Sequence, residues 1–123
     1  MSVLGIDEIT YGVDDLAACA RFFVDWGLSK VSESDDEVVF ETLNGCRVIV
    51  TAQDRPGLPP AIEEGPTLRE VVWGVESEAD LKLYAERIAG DPDFIEAESR
   101  IGCTDPNGLA IRLQVSRKRD IQV

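Results

Sequence analysis

Residues 8–14 read Glu-Ile-Thr-Tyr-Gly-Val-Asp, and 62 positions later residues 70–76 read Glu-Val-Val-Trp-Gly-Val-Glu. Every position keeps its chemical type except Thr10, which aligns with the likewise β-branched Val72. A second echo follows at an offset of 63, where Asn44-Gly45-Cys46-Arg47-Val48-Ile49-Val50 lines up with Asn107-Gly108-Leu109-Ala110-Ile111-Arg112-Leu113. Self-similarity held over such a distance predicts one structural module written twice.

Working outward, Ile6 to Val13 alternates apolar and polar residues and predicts a strand. Asp14 or Asp15 then caps a helix running to about Trp26, with Gly27 as its stop. Leu16, Cys19, Ala20, Phe23 and Val24 supply a buried stripe that Phe22 and Trp26 widen. Three strands follow at Leu28–Glu33, Glu37–Leu43 and Cys46–Ala52. Asn44-Gly45 is expected as a two-residue hairpin connection, because both residues tolerate positive φ. Residues 53–67, with Pro56, Pro59, Pro60 and Pro66, show neither period and read as a linker. The order then repeats: a strand over Leu68–Val75, a helix from Ser77 to Ala89 stopped by Gly90, and weaker strands at Phe94–Glu98 and Arg100–Thr104. The Asp105-Pro106-Asn107-Gly108 turn leads into a last strand, Leu109–Val115.

Each module is therefore βαβββ, and the fold class is α+β. Half of such a sheet exposes an apolar face, so two copies must pair into one curved mixed sheet with helices outside and a concave cavity inside. The boundaries are module one 1–52, linker 53–67, module two 68–116, and a polar tail or linker over 117–123. The modules can pair within one chain or swap between two, because the linker is able to fold back or cross over.

At 123 residues the chain suits a single domain, and 29% charged residues alongside 44% hydrophobic ones argue for a globular protein. No apolar run has the length of a bilayer span, and the start lacks a secretory pattern; a cytoplasmic protein is expected. The net charge of −12 argues against nucleic acid and anionic membrane as partners. It fits either a solvated acidic surface or attraction of a cationic small molecule. Cys19, Cys46 and Cys103 are odd in number and lack a CxxC pair, so free buried thiols are expected rather than disulfides. With no histidine anywhere, nothing is present to activate a thiol in the usual way.

The stretches Ile9-Thr-Tyr-Gly-Val-Asp-Asp-Leu16, the Phe22-Phe23 helix and Asp105-Pro-Asn-Gly-Leu-Ala-Ile-Arg-Leu113 resemble the vicinal oxygen chelate superfamily. That superfamily includes glyoxalase I, bleomycin-resistance proteins and extradiol dioxygenases. The paired modules carry the resemblance up to about Ser116. Within the superfamily the chain looks most like the amino-terminal half of two-domain extradiol dioxygenases, in which the first paired-module domain has lost its metal site and the second keeps it.

The resemblance implies metal-ligand positions on the first and last strands of each module, usually histidine and then glutamate. Those positions here are Glu8, Glu70 and Arg112, with Ile49 (or Val50) as the counterpart of Arg112. A guanidinium has no lone pair to give and repels a metal. An iron facial triad needs two imidazoles. No cofactor is therefore expected, although Glu8 and Glu70 with added waters could hold a hard divalent cation. The expected arrangement is a charge cluster of Glu8, Glu70 and Arg112 in the cavity, because a buried carboxylate needs a partner. Tyr11 and Trp73 are expected as large core or rim residues, or as stacking walls for a flat ligand. Trp26 is expected beneath its helix, and Arg47 at the surface.

Three functions are consistent with this pattern. The first is a non-catalytic supporting domain, paired with a second copy or a second paired-module domain. The second is a sequestering protein that binds a cationic aromatic small molecule, as bleomycin-resistance proteins do. The third is a lyase, isomerase or dioxygenase using a glutamate base or a metal held by carboxylates.

Overall fold

The computed structural model describes residues 2–97 and 99–120. Module one comprises β1 (Val3–Val13), α1 (Leu16–Trp26), β2 (Ser29–Glu33), β3 (Glu37–Glu41) and β4 (Arg47–Ala52). Module two comprises β5 (Thr67–Val75), α2 (Glu78–Ile88), β6 (Ile95–Glu96), β7 (Ile101–Thr104) and β8 (Ala110–Val115). All eight strands form one mixed sheet in the order β2-β3-β4-β1-β5-β8-β7-β6. The order is the same in both modules, read outward from the antiparallel β1–β5 seam. The modules pair within one chain. Among the described residues no helix is long and apolar enough to cross a membrane.

Local chemistry sets the boundaries. Asp15 accepts the Ala18 N–H at 3.0 Å to cap α1, and Gly27, at φ 111°, ends it by donating to the Phe23 and Val24 carbonyls. Ser77 accepts the Asp80 N–H at 3.2 Å to start α2. This helix ends on Ala89 in right-handed geometry, and Gly90 is not among the glycines with positive φ, so the expected glycine stop is corrected. The final-strand hairpins are alike. Thr42 N–H donates to Cys46 O at 2.8 Å and Gly45 N–H to Thr42 O at 3.0 Å; Asp105 pairs with Leu109 and Gly108 in the same way, at 2.9 Å each. Only Gly45 (φ 89°) and Gly108 (φ 91°) are left-handed in these turns. Each connection is thus a three-residue loop, and Asn44 serves by accepting hydrogen bonds from Thr42 Oγ1 and Cys46 N rather than through positive φ. The weak strand expected at Phe94–Glu98 shrinks to Ile95–Glu96, with Glu98 outside the described residues.

Two apolar cores lie on the helix face. Beneath α1, Val13, Val38, Phe40, Val48 and Val50 pack against Leu16, Cys19, Ala20 and Phe23; the Phe23 and Phe40 ring centroids are 5.6 Å apart. Beneath α2, Val75, Leu81 and Ile101 pack against Tyr84, Ala85, Ile88, Leu113 and Val115. The stripe of α1 is narrower than expected. Val24, expected in the stripe, is 49% exposed, and Phe22 and Trp26 remain 54% and 71% exposed, their rings tilted against each other with centroids 5.6 Å apart. The helix meets the sheet through positions 16, 19, 20 and 23, which leaves these two rings on its flank rather than beneath it.

The opposite, concave face carries buried polar side chains instead, namely Asp7, Glu8, Thr10, Thr51 and Gln114. Groups buried there must find partners, and this requirement shapes the site. The linker folds back over the same region. The Arg69 guanidinium donates to Pro59 O at 2.7 Å and Gln53 O at 2.8 Å. It passes close to Gly12, where a Cβ would lie 3.1 Å from Arg69 Nε.

The tail expected over 117–123 is held down in its described part. Arg117 N–H donates to Asp7, Arg119 N–H to Asn44 O at 2.8 Å, and the Arg119 guanidinium to Glu41 at 2.7 Å. The hydrogen bond from Arg119 holds the Glu41 carboxyl below its ordinary range. The segment crosses from module two to module one and ties the two together.

Candidate functional site

Strand alternation puts Glu8 and Thr10 of β1, Ile49 and Thr51 of β4, Glu70 of β5, and Arg112 and Gln114 of β8 on the concave face. Glu8, Val72 and Arg112 lie in one row across the sheet, and Ile49, Thr10, Glu70 and Ala110 in the next. Arg112 is therefore two strands away from Glu8, and its guanidinium turns diagonally to Glu70, with Nε at 3.5 Å from Oε2. Arg112 Nη1 also donates to the Cys103 and Ile111 carbonyls at 3.2 Å each.

Glu8 is satisfied by Arg100, which the sequence did not single out. Arg100 Nη2 lies 3.1 Å from Glu8 Oε2, and Nη1 lies 3.7 Å from Glu70 Oε1. Its Nε donates to Gln114 Oε1 at 2.9 Å. The network continues from Gln114 Nε2 to Asp7 Oδ2 at 3.0 Å. Asp7 also accepts the Ser116 hydroxyl and the Arg117 N–H, each at 2.8 Å. Arg112 thus pairs with Glu70 but not with Glu8, and it does not line the adjoining cavity; Arg100 is the residue that links the two carboxylates, with Gln114 and Asp7 beyond it.

Two glycines make room for this network. A Cβ at Gly74 would meet the Asp7 carboxylate and lie 2.8 Å from Ser116 Cβ. One at Gly102 would lie 2.6 Å from the Ile111 carbonyl oxygen and 2.5 Å from Arg112 Cδ. Gly102→Ala is expected to lower stability by about 2 kcal/mol and to push Arg112 off Glu70, measurable by urea denaturation and a crystal structure of the variant.

Beside the cluster lies a cavity of about 310 Å³, bounded by Glu8, Thr10, Ile49, Thr51, Glu70 and Arg100 and by the linker at Arg55–Pro59. Glu37 on its rim is paired with Arg55 at 2.8 Å. A larger cavity of about 840 Å³ opens between α2 and residues 96–101, with Arg100 in the wall of both.

The aromatic candidates Tyr11 and Trp73 do not line the cavity beside the cluster. Tyr11 lies on the helix face in a groove with Val13, Ala18, Cys19, Phe22 and Phe23. Trp73 shares the strand face of Val71 and Val75, and Val75 packs under α2. Side chains of one parity point to one side of a sheet, so both rings lie across the strands from the carboxylates. Arg47 is half-exposed and sits 3.5 Å from Glu41. The three cysteines are free, and burial raises each thiol above its ordinary range.

No group of three or more His, Cys, Asp or Glu side chains placed to share a metal ion occurs among the described residues. At the positions to which the resemblance assigns ligands stand the carboxylates Glu8 and Glu70, the aliphatic Ile49 and Arg112, with Arg100 between the carboxylates. Both carboxylates face guanidinium cations. This donor set does not fit a divalent ion, which would need those oxygens and would meet two fixed positive charges.

The sequence matches no family model and no curated protein. Solved structures do match. The chain is similar to a catechol 2,3-dioxygenase, with TM-score 0.75 and 18% identity, over 97% of this chain and 43% of that one. It is similar to a halotolerant catechol dioxygenase, with TM-score 0.71 and 16% identity, over 94% of this chain and 41% of that one. It is also similar to methylmalonyl-CoA epimerase from Mycobacterium tuberculosis, with TM-score 0.61 and 15% identity, over 93% and 89%. The fold is that of the vicinal oxygen chelate proteins, two βαβββ modules in one curved mixed sheet. The chain spans less than half the length of the two dioxygenase chains.

Proposed function

We propose that this chain is a non-catalytic paired-module domain of dioxygenase-like ancestry, in which an ion-pair cluster has replaced a metal centre. The observation that carries the reading is the pairing of Glu8 and Glu70 with Arg100 and Arg112 across β1, β5 and β8. Carboxylates held this way stabilise the seam between modules instead of presenting free oxygens to a metal. The supported partner is a second paired-module domain or a second copy. The match of nearly all of this chain to under half of two dioxygenase chains favours a companion domain.

Oxygen uptake with catechol and added ferrous iron tests the reading. Uptake no faster than with iron alone is the expected result. Turnover that disappears in Glu8→Gln would mean that an enzyme has been misread as a scaffold.

Sequestration of a cationic small molecule is the second reading, favoured by the three carboxylates lining the cavity. Its aromatic component is weakened, because Tyr11 and Trp73 lie on the other face of the sheet. A glutamate-base enzyme draws support from the likeness to an epimerase of comparable length. Against it, Glu8 and Glu70 are both engaged by arginines rather than poised toward a substrate.

A further inference from the structure

The two central carboxylates hold a guanidinium that belongs to a connecting segment. Arg100 stands between β6 and β7, and its carbonyl accepts the Ala97 N–H at 2.8 Å. Its three nitrogens are answered by Glu8, Glu70 and Gln114, at 3.1, 3.7 and 2.9 Å. The planar guanidinium reaches three acceptors at once, hydrogen-bonding Gln114 and ion-pairing with the two carboxylates. Glu70 is also paired with Arg112, so the four charges cancel while Arg100 is in place. Without Arg100, a single negative charge is left over. Such a vacancy suits one monovalent cation, and Arg112 still repels a divalent one.

Two further features show a seat rather than a plain ion pair. Thr10 is 8% exposed, lines the adjoining cavity, and its hydroxyl has no hydrogen bond among the described residues. Arg100 also lines the larger cavity on the α2 side, and its side chain keeps 26% exposure, so it has somewhere to go when it leaves the carboxylates.

We propose that Glu8, Glu70 and Gln114 form a receptor for a guanidinium or primary ammonium group, occupied in the resting chain by Arg100. An aliphatic guanidine or amine takes the place of Arg100, with its polar substituent on Thr10 and its short apolar body against Ile49, Leu58 and Pro59. The tether gives Arg100 a millimolar-scale local concentration, on the order of that for short linked groups, so a successful ligand needs those extra contacts. The proposal rests on the reading that an ion-pair cluster, not a metal, occupies the concave face at Glu8, Glu70 and Arg112.

Methylguanidinium, which reproduces the end of the arginine side chain, is the probe. In Arg100→Ala it is expected to raise Tm saturably by roughly 5 °C, recovering part of the loss. Tetramethylammonium at equal ionic strength is expected to give no rise, and the wild-type chain to bind the probe at least about ten-fold more weakly. Arg100→Gln, which keeps a long polar side chain without the charge, repeats the test. Absence of saturable rescue in both variants overturns the receptor, as does failure of both to fold with the probe present. Rescue by tetramethylammonium equal to that by methylguanidinium overturns it too, since any cation would then serve. Stoichiometric rescue by Mn²⁺ in place of methylguanidinium overturns the receptor together with the ion-pair reading beneath it, whereas failure with both probes overturns the receptor alone.

Discussion

Arg100→Ala is expected to lower folding stability by roughly 3 kcal/mol, read as a lower urea midpoint with an unchanged slope. The Glu8 side chain is only 10% exposed, and Arg100 is its one ion-pair partner among the described residues. Removing the guanidinium leaves that carboxylate desolvated without compensation and strips Gln114 Oε1 of a donor. The effect falls toward the lower end for a broken buried pair, because Arg100 keeps 26% exposure. Glu70 is cushioned, since Arg112 remains beside it. Replacing both partners, as Glu8→Leu with Arg100→Leu, should return most of the loss, because no unpaired charge is then buried. A single variant as stable as wild type would show that the cluster does not hold the seam.

Asp7→Ala should cost a similar amount, about 3 kcal/mol, for a different reason. Asp7 is 3% exposed and accepts hydrogen bonds from Gln114, Ser116 and Arg117. Alanine orphans a buried amide and a backbone N–H together, and it cuts the carboxylate through which β1 of module one holds the end of module two. Faster amide hydrogen exchange at residues 116–119 is expected along with the lower stability, because Arg117 then has no anchor before Arg119 reaches Glu41. Unchanged exchange there would place the hold on the tail elsewhere, at Arg119.

The fold was legible because the repeat, the caps and the turns all agree. Asp15, Ser77, Gly27, Gly45 and Gly108 each do locally what their side chains or lack of one permit. The site was legible only in part. Glu8, Glu70 and Arg112 follow from strand parity and the internal repeat. Arg100 was missed because β7 is short and its facing depends on the register with β8, where Ile101 opposes Leu113, and no local pattern fixes that. Asp7 was missed for a related reason. Simple alternation puts it on the apolar face with Ile9 and Tyr11, but a bulge between Ile6 and Glu8 adds one residue on β1. An aspartate sharing its strand parity with Ile9, Tyr11 and Val13 was the available hint. Phe22 and Trp26 misled in the other direction, since hydrophobicity predicts burial only where a neighbouring surface exists to receive it.

Titration of the chain with Mn²⁺, Fe²⁺ and Zn²⁺, followed by native mass spectrometry under reducing conditions, tests most directly whether ion pairs stand where a metal would. The account predicts no stoichiometric uptake by the wild-type chain, because Glu8 and Glu70 already face two guanidinium groups. One ion bound per chain, lost in Glu8→Ala or Glu70→Ala, would contradict it and return the site to metal chemistry.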